Sequence, residues 1–113
     1  MNIVKRHPAA WNAFHNFLSG DVDVVLEAAP GTSKRLYITG FMVSNGASAV
    51  KITFTQDPAG TPVEIAPDLH FAANGGCAPV AFPEAVPLPE NTALGITTVG
   101  DGLHGVMVFG YTE

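Results

Sequence analysis

At 113 residues, with 47% apolar but only 13% charged residues and a net charge of −5, the chain suits one domain with its own core. Five Lys and Arg in all cannot line a phosphate backbone, which argues against nucleic-acid binding as its main task. One cysteine, Cys77, leaves no internal disulfide framework.

No apolar run approaches the roughly 18 residues of a membrane span. Lys5 and Arg6 lead into HPAAWNAFHNF, not into the apolar core and cleavage site of a secretory leader, so folding in a reducing cytoplasm is expected. Charge at about half the usual quarter implies a surface of neutral polar residues, or one partly covered by partners.

Residues 1–20, MNIVKRHPAAWNAFHNFLSG, differ from the rest. Ala10, Trp11, Phe14, Phe17 and Leu18 fall at helical spacing, which predicts a short amphipathic helix started by Pro8 and ended by Gly20. At about nine residues it is marginal alone. It either closes the open end of the domain's core or reaches a neighbouring chain as an arm, with Trp11, Phe14 and Phe17 as anchors.

Residues 21–113 read as an all-β domain. Asp21 to Ala28 alternates, with Val22, Val24, Leu26 and Ala28 on the core side. Asp21 and Asp23 lack the further carboxylates of a Ca²⁺ cage. Pro30-Gly31 suits a type II bend. Arg35 to Ser44 and Ala49 to Gln56 flank a Ser-Asn-Gly-Ala-Ser turn and together read as a β-hairpin. In the second of these runs Val50, Ile52 and Phe54 point in; Lys51, Thr53 and Thr55 point out.

The first run breaks its own alternation. Leu36 and Ile38 share one parity, Phe41 and Val43 the other, with Gly40 at the switch. Either Gly40 bends or bulges the strand, or the strand is buried on both faces. In the second case Phe41 and Val43 would lie under the arm or a neighbouring subunit, which makes them candidate contacts beside Trp11, Phe14 and Phe17.

Further along, Pro62 to Ala66 and Leu69 to Ala73 read as short strands, and Asn74-Gly75-Gly76 as a turn. Cys77 to Pro83, holding Pro79, reads as an edge strand, and Glu84 to Asn91 as a proline-rich connection. Thr92 to Thr98 is a strand, and His104 to Thr112, apolar on both parities, a central one. Seven to eight short strands with turn chemistry between them predict an antiparallel, jelly-roll-like β-sandwich.

The order of features also resembles a known group. An acidic-apolar strand is followed by APGTSKRLYITGFMVSNGASAVKITFTQ, then FAANGGCAPVAFP, a proline-rich link and PENTALGITTVGDGLHGVMVFGYTE. The ending Asn91, Thr92, Ala93, Leu94, Gly95, then Val106 to Tyr111, carries much of the likeness. Over residues 21–113 this resembles small β-sandwich virion proteins of tailed bacteriophages. The resemblance implies a capsid decoration (cement) protein, or a small tail or fibre component. It implies homotrimers bound to the major capsid protein or another virion protein, a place in the virion, and no cofactor.

Two other classes are open to test. A carbohydrate-binding module needs an exposed aromatic platform, whereas Tyr37, Phe41, Phe54, Phe71, Phe82, Phe109 and Tyr111 mostly fall at core-like positions. An enzyme would draw on His7, His15, His70 and His104 with Asp68, Asp101 or Cys77, at spacings that match no catalytic or metal-binding signature.

Overall fold

The computed structural model describes residues 10–113, and among them two β-sheets pack face to face as a sandwich with no helix. The strands are β1 (Ala10–Phe17), β2 (Val24–Glu27), β3 (Leu36–Asn45), β4 (Val50–Gln56), β5 (Val63–Glu64), β6 (Leu69–Phe71), β7 (Gly76–Pro87), β8 (Leu94–Val99) and β9 (His104–Thr112). The first sheet has the order β1-β9-β3-β7. The second has β2-β8-β4-β5, with β6 also on β4. All pairings are antiparallel.

The expected helix over Ala10–Leu18 is instead strand β1, paired along its length with β9 from Ala10↔Tyr111 to Phe17↔His104. The reason is the two-residue period: Trp11, Ala13, His15 and Phe17 turn inward, and the core offers them a sheet edge to complete. Pro8, His7, Lys5 and Arg6 lie outside the described residues. Where seven to eight strands were expected, the described residues hold nine, β1 being the unexpected one.

The Arg35–Gln56 stretch is not a hairpin. β3 bonds to β7 and β9, whereas β4 bonds to β8, β5 and β6. The turn between them carries the chain from one sheet to the other. Alternation fixed which side of each strand faces the core, and both met it from opposite layers; Phe41 and Phe54 touch across it at 5.3 Å between ring centroids.

Gly40 resolves the parity switch as a bulge. The register of β3 slips between Ile38 and Gly40 against both β7 and β9. Leu36 and Ile38 before it, and Phe41 and Val43 after it, all enter the same core. A β-carbon at Gly40 would stand 2.5 Å from the Val80 carbonyl oxygen, so no side chain fits there.

The core also takes Phe17, Val50, Ile52, Phe54, Leu88, Leu94, Ile96, Val106 and Val108. β2 is shorter than expected. Asp23 takes a left-handed φ of 52°, and Val22 ahead of it is exposed. β7 is longer than expected, running as an edge strand through the proline-rich 84–87 segment. Its prolines at 79, 83 and 87 leave fewer free N–H groups for another chain to pair with.

Glu27, beside the irregularity of β2, is partly desolvated, and that burial holds its carboxyl above the ordinary 4.5. The folded chain therefore binds this proton more tightly than the unfolded chain does. The stabilisation is complete below the unfolded value and is lost as pH rises through the folded one. Glu27→Gln is expected to be more stable than the parent at pH 7, with the difference shrinking as pH falls to 4; urea melts of both proteins at the two pH values check this.

Candidate functional site

The outer face of the first sheet carries the strongest candidate. Strand register sets its residues in four rows across β1, β9, β3 and β7: Ala10–Tyr111–Tyr37–Pro87, Asn12–Phe109–Gly40–Ala81, Phe14–Met107–Met42–Pro79, and Asn16–Gly105–Ser44–Cys77. None of these residues is charged. β1, β3 and β9 contain no Asp, Glu, Lys or Arg at all. The one charge of β7, Glu84, falls in residues 82–85, which leave the ladder at the bulge.

The face has relief. Phe14 stands 67% exposed. Tyr37 and Tyr111 stack at 4.8 Å with their planes 8° apart. Where glycine interrupts a row the surface dips. One depression lies at Gly105 among Phe14, Asn16, Met42, Ser44 and Met107, and another at Gly40 among Thr39, Pro79, Ala81 and Phe109. Thr39 donates its hydroxyl to the Phe109 carbonyl at 3.1 Å, so the bulge adds no free polar group there.

The outer face of the second sheet is different in kind. Its rows include Val25–Gly95–Thr55–Glu64 and Val99–Lys51–His70. Asp68 accepts a hydrogen bond from the Thr53 hydroxyl at 2.8 Å and pairs with Lys51 at 3.9 Å. Thr53 and Thr55, expected to face solvent, are buried. Asp68 covers the first, and Pro58 leans over Gly95 beside the second.

Of the residues singled out from sequence, Phe14 alone presents a large exposed surface. Phe17 is 1% exposed and stacks on His104 at 5.0 Å. Phe41 and Val43 are core residues, 6% and 0% exposed. Trp11 is half-buried against the core, its ring over Gly110 and its indole nitrogen without a partner. These four lie beneath the uncharged outer face and not on it. Sequence reasoning missed Tyr37, Met42, Met107, Phe109 and Tyr111. Three of these, Tyr37, Phe109 and Tyr111, are aromatics at positions that read as core in the sequence. The available signal was the opposite parity of β9, where both faces are apolar although a sandwich strand needs only one.

The polar groups with chemistry to offer are dispersed. His104 is buried. Its Nδ1 faces the Gly102 carbonyl at 3.0 Å, so that nitrogen carries the proton and donates it. Nε2, at 3.2 Å from Thr98 Oγ1, then accepts from the hydroxyl. Thr98 Oγ1 in turn accepts from the Asp21 backbone N–H at 3.2 Å. This chain ties three segments together and leaves the imidazole no free nitrogen. His15 packs on Phe17 at 4.4 Å, while His70 and Cys77 are exposed on different sheets. Among the described residues no group of three or more His, Cys, Asp or Glu is placed to hold a metal ion. A narrow cleft between the sheets, lined by Ile38, Phe41, Phe54, Ile65, Phe82 and Val108 among others, has only apolar walls.

No family model matches the chain, and no curated protein matches it.

Proposed function

We propose that this chain is a structural virion protein, a capsid decoration (cement) protein that binds the outside of a phage head, with no enzymatic role. The observation that carries this reading is the division between the two faces. One sheet offers an uncharged surface of aromatic and thioether side chains; the other offers charged and hydroxyl groups. A catalyst needs convergent polar groups. An adhesive module needs contact area, which this thin sandwich supplies on both sides. The strand orders β1-β9-β3-β7 and β2-β8-β4-β5 support reading the sandwich as a jelly roll, the form implied by the resemblance to small virion proteins.

The mechanism is mass action. Each bound copy stabilises the assembled shell over its separated parts by the free energy of its contacts. The major capsid protein and further copies of this chain, as a homotrimer, are the partners this reading names. The test is the composition of purified particles from the source of the chain. Quantitative mass spectrometry is expected to find it in copy numbers of the same order as the major capsid protein. A few copies per particle would move it to the tail or a fibre, and its absence from particles would overturn the reading.

A further inference from the structure

We propose that the uncharged outer face of β1-β9-β3-β7 is where copies of this chain meet one another. The inference rests on the reading that the chain acts by assembly, and it names the occupant of one face.

Charge selects the occupant. Each copy carries a net −5, so two copies repel in general. An approach through the second sheet would bring Asp23, Glu64 and Asp68 of one copy toward the same groups of the other. Among the described residues the four rows of the first sheet contain no charge, so these rows meet their like without burying an unpaired ion. A partner of different chemistry is served equally well by a face whose charges complement its own. Between two copies of net −5, a face without charge adds nothing to their repulsion.

Shape agrees. Phe14 projects from one edge of the face, 67% exposed. The depressions at Gly105 and Gly40 lie on the same face. A phenyl ring from one copy enters a depression of the next. Across a twofold axis the contact occurs twice, and around a ring it repeats head to tail.

Area is sufficient. Four strands about 4.8 Å apart and eight residues rising about 3.3 Å each make a face of about 19 by 26 Å. That is about 1,000 Å² for the two copies before side-chain relief is counted, the size at which specific interfaces begin.

The experiment is light scattering on the full chain over a concentration series, with variants. The parent is expected at a multiple of 11.8 kDa. Met42→Asp, at the centre of the face, and Phe14→Asp, at its rim, are each expected to weaken association at least about 100-fold, the cost of an uncompensated buried charge. Both should then run at the single-chain mass with unchanged circular dichroism. Val99→Asp, on the other sheet and 54% exposed, is expected to leave the mass alone. Should Met42→Asp fail to fold, Phe14→Asp on its exposed site still decides. A parent that stays at 11.8 kDa, or a multimer indifferent to both substitutions, overturns the inference. A monomer that is nonetheless abundant in particles would do so while leaving the decoration reading intact.

Discussion

Phe17→Ala is expected to lower the free energy of unfolding by about 3–5 kcal/mol, the range for emptying a buried aromatic site. Phe14→Ala, three residues earlier on the same strand, is expected to change it by less than about 0.5 kcal/mol when measured at a dilution that keeps copies apart. The contrast follows from the pleat. Phe17 points into the core at 1% exposure and stacks on His104; Phe14 points out. Denaturant melts of both variants check it. The same logic bears on deletion of residues 1–19. It would remove β1, strip β9 of one neighbour and uncover the core beneath Phe17 and Trp11. The truncated chain is therefore expected to lose its cooperative transition, not to survive as a domain without an arm.

Gly110→Ala is expected to cost about 1–3 kcal/mol, as overpacking usually does, and more if the backbone cannot shift. A β-carbon there would overlap the Tyr37 carbonyl oxygen and lie 2.5 Å from Cζ2 of Trp11. Neither neighbour yields readily, since one is main chain and the other is wedged against the core. Gly105→Ala, on the same strand, meets only the Asn16 side-chain oxygen at 2.8 Å, which can rotate away. It is expected to leave stability near the parent value. Thermal melts of the two variants side by side separate a glycine required by packing from one that only shapes the surface.

The β-rich character was legible because β4, β8 and β9 alternate or run apolar over lengths suited to strands. The bulge at Gly40 was legible as one of two options, since a parity break at a glycine has few causes. β1 was not legible, and the reason is specific. Phe14 is an aromatic on the wrong parity for a strand buried on one side, and with Trp11, Phe17 and Leu18 it imitates a helical stripe. The residue that spoiled the periodicity is the one whose exposure marks the candidate site. Sheet membership was also out of reach. Alternation reports which side of a strand is buried, but β3 and β4 would show the same pattern whether bonded together or facing each other across a core. The uncharged outer face itself was hidden because its large members are apolar residues, and each taken singly reads as core.

β9 lies between β1 and β3, yet it is made after both. A chain leaving the ribosome from its N-terminus cannot close the first sheet until residue 112 has emerged. Until then β1 has no strand beside it, and the inward faces of β1 and β3 have only part of their core. That layer therefore closes only after β9 is available. Most of the uncharged outer face, whose rows all cross β9, comes into being only once that strand is seated. Nascent chains on the same message cannot present this face to one another before that strand is in place.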